Sequence, residues 1–163
     1  MNVMEAIRKK RAVRQYRDQA ISDDQAASIL DAGRRAQSSK NTQPWQFIAI
    51  RKKETLSALS QLGKYAGHLK DAAMGILLVS LPGNDFDLGQ AAAYMQLAAL
   101  ELGIGSCLIA IYEPEKAKSL LGIPAEQQVQ IAIAFGFPAE KERREKLGRG
   151  RKKLAEIAHW EKW

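Results

Sequence analysis

The apolar positions of the chain fall into two rhythms, one helical and one extended. Val3, Met4 and Ile7 recur at helical spacing and predict a short helix over Val3–Lys9 that closes in a basic cluster. Ser22 followed by Gln25 has the spacing of a capping box and opens an amphipathic helix that runs to about Arg35. Residues 37–45 are polar, end in Pro44 and Trp45, and predict a loop. A short strand over 47–50 follows, then a helix over 53–62 with Leu56, Leu59 and Leu62 on one side. Residues 75–80 are apolar almost without a break, the pattern of a buried strand, and Leu81-Pro82-Gly83-Asn84 turns the chain.

Asp87 reads as the cap of the most apolar helix, residues 88–102. Its Ala, Leu and Met residues lie nearly all round, which predicts a central helix covered on more than one side. Gly103 ends it, a strand covers 106–112, and Pro114 opens a helix through Leu121. Residues 129–137 form the last clear strand; a charged stretch over 139–150 then leads to a helix-like piece ending at Trp163. No repeat, low-complexity tract or linker interrupts the pattern, so residues 1–163 are expected to form one domain. Four strands interleaved with helices suit an α+β or α/β sandwich.

Composition narrows the class. The 163 residues are 46% hydrophobic and 26% charged, as in a soluble globular domain that buries roughly 70% of its unfolded surface. Such a domain needs neither disulfides nor a structural metal. The single cysteine, Cys107, excludes an intramolecular disulfide, and no Cys or His spacing suggests zinc. The apolar runs are too short to span a bilayer and the first residues lack a secretory pattern, so the expected location is the cytoplasm, with no membrane partner.

The charge is unevenly placed. The chain carries +7 overall, yet residues 18–140 hold thirteen acidic and ten basic residues. The excess belongs to the two ends, each with a balance of +5. Two such clusters either converge on one anion, remain two solvated surfaces, or bind a polyanion such as nucleic acid.

Side-chain chemistry is sparse. His68 and His159 lie in no catalytic motif and read as surface or interface residues. Cys107 lies in an apolar strand, where a thiol acts as a small hydrophobe. No phosphate-binding Gly loop occurs; Gly103-Ile104-Gly105 is a tight turn with backbone N–H groups available to an electron-rich ligand atom.

Four segments in order carry more than any one alone. They are Ile7-Arg8-Lys9-Lys10-Arg11-Ala12-Val13-Arg14-Gln15-Tyr16, then Ser38-Ser39-Lys40-Asn41-Thr42-Gln43-Pro44-Trp45-Gln46-Phe47. The third is Leu102-Gly103-Ile104-Gly105-Ser106-Cys107, and the fourth Gly136-Phe137-Pro138 with Arg149-Gly150-Arg151 beyond it. In this order they resemble the flavin-dependent nitroreductase family over essentially the whole chain, with Asn41-Thr42-Gln43-Pro44-Trp45-Gln46-Phe47 the most specific stretch.

The resemblance implies an α+β homodimer with a mixed, largely antiparallel sheet flanked by helices and one FMN per active site, each site in the subunit interface. Lys10 and Arg11 match a basic pair beside the cofactor phosphate, and Arg149 and Arg151 a C-terminal basic pair that returns to it. Arg14 matches a residue at the pyrimidine edge of the flavin and is the candidate for tuning its potential. Ser38, Ser39 and Asn41 match the loop that meets the flavin across the interface, Gly103 and Gly105 the turn whose backbone approaches the ring. Trp45 is expected to pack under that loop, and helix 88–102 to form the dimer core.

The implied chemistry is hydride transfer from NADH or NADPH to flavin N5 and on to a nitroaromatic, quinone or similar acceptor by a ping-pong mechanism. It needs no side-chain nucleophile and no metal. Two positions depart from the family pattern: Ala12 stands where Ser is frequent, and Gln37 where Pro is common. The stretch between Lys53 and Gly75 is short beside larger members, which implies an open acceptor pocket. The rival readings are a small basic nucleic-acid or polyanion-binding module, and a flavin-binding protein without efficient turnover.

Overall fold

A computed structural model describes residues 1–139 and 150–163. Among these, five helices and four strands alternate along the chain: α1 (Val3–Lys9), α2 (Asp23–Arg34), β1 (Gln46–Ile50), α3 (Lys53–Ser60), β2 (Met74–Ser80), α4 (Asp85–Glu101), β3 (Gly105–Ala110), α5 (Pro114–Leu121) and β4 (Gln128–Gly136). The strands form one sheet in the order β1-β2-β4-β3, every neighbouring pair antiparallel. Antiparallel pairing places the fold in the α+β class, and excludes the βαβ crossovers of an α/β sandwich.

The apolar runs form the centre of this sheet because they can be buried on both faces. Every residue of β2 is buried. Its Met74, Ile76 and Leu78, with Ile133 and Phe135 of β4, pack against Ala26 and Ile29 of α2 and Leu88, Ala91, Met95 and Ala99 of α4. Leu77 and Val79, with Ala132 and Ala134, face the opposite layer of Leu56 and Leu59 from α3, Leu69 from the 3₁₀ turn Gly67–Asp71, and Ala117 from α5. Three layers result, with alternate strand residues in alternate cores. The capping box at the start of α2 is present as expected: the Ser22 hydroxyl accepts from the Gln25 N–H and the Gln25 side chain accepts from the Ser22 N–H.

The structure corrects four expectations. Asp87 is not the cap of α4, which begins at Asp85 after Asn84; Asp87 lies inside the first turn with only 8% of its surface exposed. α4 is covered on one side only. Leu88, Ala91, Ala92, Met95 and Ala99 are buried, whereas Phe86 and Tyr94 stand outward, Phe86 80% exposed. The loop over 37–45 contains a 3₁₀ turn, Ser39–Asn41. The helix-like C-terminal piece reduces to one 3₁₀ turn, Leu154–Glu156, because its apolar residues have no core beneath them to stabilise a longer helix.

Candidate functional site

The site grows from the way the chain leaves α1. Lys10 already has extended backbone, and the segment from Lys10 to Arg17 runs across the ends of β3 and β4. The Val13 N–H donates to the Ser106 carbonyl at 3.0 Å, the Arg17 N–H to Phe137 at 2.9 Å, and the Ala139 N–H to Gln15 at 3.0 Å. The crossing is possible because Gly105 and Gly136 face each other in the β3–β4 ladder. A Cβ on Gly105 would stand 2.8 Å from Val13, and one on Gly136 would stand 2.7 Å from the Tyr16 ring. Tyr16 fixes the segment further by donating its hydroxyl to the Val13 carbonyl at 2.6 Å. Gly105 thus has a packing reason for lacking a side chain, while Gly103 has a conformational one, a φ of +74°.

This ridge borders two cavities. The first, about 450 Å³, is lined by Arg8, Lys9, Lys10 and Arg11 on one side and by the backbone turn from Gly103 to Ser106 on the other. Lys9 is engaged with Glu5 one turn back. Lys10 is half-buried and donates its Nζ to the Arg11 carbonyl at 3.0 Å. Burial lowers its pKa from the ordinary 10.5, with Cys107 acting in the opposite direction. Ser106, buried to 2% exposure, contributes a hydroxyl without a hydrogen-bond partner among the described residues. A concave site with several cations, a desolvated ammonium and an unsatisfied hydroxyl suits an anion rich in acceptor oxygens.

The second cavity, about 220 Å³, has Arg14, Tyr65, His68 and Tyr112 around the outer end of β3, from Leu108 to Ala110. Strand β3 therefore passes along both cavities. From Ser106 to Ala110 it covers roughly 13 Å at about 3.3 Å per residue. The three cations that are neighbours in sequence are divided by the ridge: Lys10 and Arg11 face the first cavity and Arg14 the second. An elongated ligand with an anionic head and a flat tail edged by hydrogen-bond acceptors matches that division.

The loop carrying Ser38, Ser39 and Asn41 lies elsewhere. It holds three non-glycine residues in left-handed conformation: Lys40 (φ 51°), Asn41 (55°) and Gln43 (49°). Two contacts brace it: the Gln43 N–H donates to Ser38 Oγ at 2.9 Å, and the Ser39 N–H donates to Asp87 Oδ2 at 3.2 Å. Beyond the loop Trp45 is buried in the same core cluster as Leu88, stacked on Phe47 at 6.4 Å. Asp87 and Leu100, which lines the first cavity, are thirteen residues apart on α4, roughly 20 Å along its axis.

The expected site residues thus fall into three groups. Lys10, Arg11, Gly103 and Gly105 come together in the first cavity, with Ala12 bridged to Ser106 at its edge, and Arg14 stands in the second. Ser38, Ser39 and Asn41 share one loop at the far end of α4. Arg151 is exposed outside any helix or strand and lines neither cavity, and Arg149 lies outside the described residues. Sequence reasoning missed Tyr65, Tyr112 and Ser106. His68, expected at the surface or an interface, is half-buried in a cavity wall. No local signal marks them, because tertiary folding alone brings residues 65–68 beside 108–112.

Comparison with known proteins agrees with the sequence pattern. A family model described as "Putative TM nitroreductase" matches residues 2–163. A protein of Methanothermobacter thermautotrophicus named "Putative NADH dehydrogenase/NAD(P)H nitroreductase" is 31% identical over 151 residues, covering 86% of this chain and 79% of its own. Among solved structures, an FMN-dependent nitroreductase from Clostridium difficile superposes with a TM-score of 0.88 at 28% identity, over 99% of this chain and 100% of that one. The oxidoreductase YcnD of Bacillus subtilis shares the fold with a TM-score of 0.90 at 21% identity; this chain covers 75% of its length. With the family pattern running from Asn2 to Trp163 and the same fold in a relative of equal extent, this chain belongs to the nitroreductase family of oxidoreductases.

Proposed function

We propose that the chain is an FMN-dependent NAD(P)H oxidoreductase of the cytoplasm, working as a homodimer in a ping-pong cycle on nitroaromatics, quinones or similar acceptors. The observation that carries the reading is the pair of cavities on either side of the 10–14 ridge, joined by β3. Their chemistry fits the cofactor end for end. Lys10 and Arg11 would hold the phosphate, joined by the Ser106 hydroxyl where Ala12 offers none. Arg149 and Arg151 would complete that shell. Arg14 would stand at the pyrimidine edge, where its charge favours negative charge on the ring, and Tyr65 and Tyr112 would wall the acceptor side.

Bound FMN would supply the electron chemistry, accepting hydride from the nicotinamide and passing it to the acceptor. The protein's part is to bind, orient and shield, so the lack of a side-chain nucleophile is no obstacle. The dimer is supported by two features. The loop of Ser38, Ser39 and Asn41 is braced against the end of α4 away from Leu100, so these residues reach such a cavity by facing a second copy. Val3, Met4 and Ile7 on α1, Phe86 and Tyr94 on α4, and Leu154, Ile157, Trp160 and Trp163 are all exposed, apolar side chains that a second copy would cover.

The test is the visible absorption spectrum of the purified protein, followed by anaerobic addition of NADH and then NADPH. Flavin bands that bleach support the enzyme and identify its donor. Yellow protein that neither donor bleaches reduces the reading to a flavin binder. Colourless protein that takes up no added FMN overturns it and leaves the polyanion module standing.

A further inference from the structure

Asp87 has no role in the chemistry proposed above, yet it is a buried carboxylate with a specific partner. It sits in the first turn of α4, 8% exposed, beside Leu88 of the core, so its backbone cannot drift. Its Oδ2 accepts from the Ser39 N–H, across 48 positions of sequence. The loop it touches is costly to hold. Lys40 and Gln43 have side chains that disfavour left-handed backbone, so each is held there at a cost. Strained backbone persists only where its surroundings over-determine it. Within the loop the bonds are short-range: Asn41 N–H to Ser38 O, Thr42 N–H to Ser39 O, and Gln43 N–H to Ser38 Oγ. Among the described residues, the Asp87 contact ties the turn to the helix layer.

We infer that Asp87 is a positioning residue for the flavin-facing loop, holding Ser39 and Asn41 in the strained shape through which they meet the cofactor of a second copy. The inference rests on the proposed function. Asp87 acts through the Ser39 N–H and touches no ligand itself. Removing the acceptor leaves that N–H without its partner and lets the left-handed residues relax, so the loop must be ordered afresh each time FMN binds.

The experiment measures FMN affinity by fluorescence quenching, together with trypsin cleavage after Lys40 in the full-length protein. Asp87→Ala is expected to weaken FMN binding about tenfold, the equivalent of ~1.4 kcal/mol, and to speed cleavage at Lys40. Asp87→Asn retains an oxygen acceptor and should restore both to within about threefold of the unaltered protein. Should Asp87→Ala fail to fold, the bond is read from its donor. Ser39→Ala keeps the N–H, whereas Ser39→Pro deletes it at the first position of a 3₁₀ turn, preceded by an extended Ser38 that tolerates a following proline. Only the proline variant should then lose affinity beyond the alanine one. Unchanged affinity and cleavage in Asp87→Ala, or equal losses in Asp87→Asn, overturns the inference. Failure of the unaltered protein to bind FMN instead overturns the cofactor reading, and leaves the clamp to be judged by cleavage at Lys40 alone.

Discussion

Replacing Gly105 with alanine is the sharpest probe of how the site is held. The added Cβ would lie 2.8 Å from both Cβ and Cγ1 of Val13 and 2.9 Å from Cγ2, closer than packed carbon atoms tolerate. Val13 cannot swing aside, since it is β-branched, its N–H is bonded to Ser106, and it is 5% exposed. The ridge must therefore lift from β3, and overpacking of this kind costs about 1–3 kcal/mol. For a chain of this length that lowers the melting temperature by roughly 2–12 °C. The lift also moves Lys10 and Arg11 away from the turn at Gly103, so FMN affinity should fall more than stability alone explains. A double-mutant cycle isolates the contact. Val13→Gly removes all three clashing carbons and is destabilising alone, but combined with Gly105→Ala it should recover at least about 1 kcal/mol relative to additivity. Urea unfolding of the FMN-free protein gives the energies, and quenching of FMN fluorescence gives the affinity. Additive energies, or a Gly105→Ala protein as stable as the parent, would refute the view that Val13 occupies the space a side chain would need.

Other consequences are equally direct. Because burial depresses the Lys10 pKa, its charged form destabilises the folded FMN-free protein below that depressed value. Lys10→Met should therefore raise the melting temperature of FMN-free protein at neutral pH, with the gain fading as pH climbs toward 10.5, while FMN binding weakens; a lower melting temperature at neutral pH would contradict this. Arg14→Gln should lower the flavin midpoint potential by on the order of 30 mV in a dye-coupled reductive titration, and an unchanged potential removes Arg14 from the tuning role. Met4→Glu with Ile7→Glu places two charges on the exposed apolar face of α1 and should turn a dimer into monomer in sedimentation; an intact dimer would relocate the interface.

The sheet was legible because its central strands are apolar through most of their length, but the order β1-β2-β4-β3 was not, since pairing between distant segments leaves no local mark. Asp87 was misread for a physical reason: aspartate near a helix start usually caps it, and a bond to a loop 48 residues earlier does not show in its neighbourhood. The helix over 88–102 was read as covered on more than one side because its apolar residues run nearly all round, whereas within one chain only the face of Leu88, Ala91, Met95 and Ala99 is covered. The basic motif brought Lys10, Arg11 and Arg14 into view together. That they face two different cavities follows from the ridge crossing β3, which depends on glycines about ninety and more residues later.

That crossing also has a consequence in time. Val13 is bonded to Ser106, and Gln15 to Ala139, so the opposite banks of the anion cradle are made far apart in synthesis. At about 5–20 residues per second, a ribosome needs roughly 5–20 s to pass from one bank of the first bond to the other. During that interval the basic head of the nascent chain is complete while the turn that shapes its pocket does not yet exist. Phosphate compounds meeting it then find loose charge without a cavity. A ligand that binds through this cradle is therefore loaded only after Ser106 has been made and cannot act as a template for the folding of the residues that precede it.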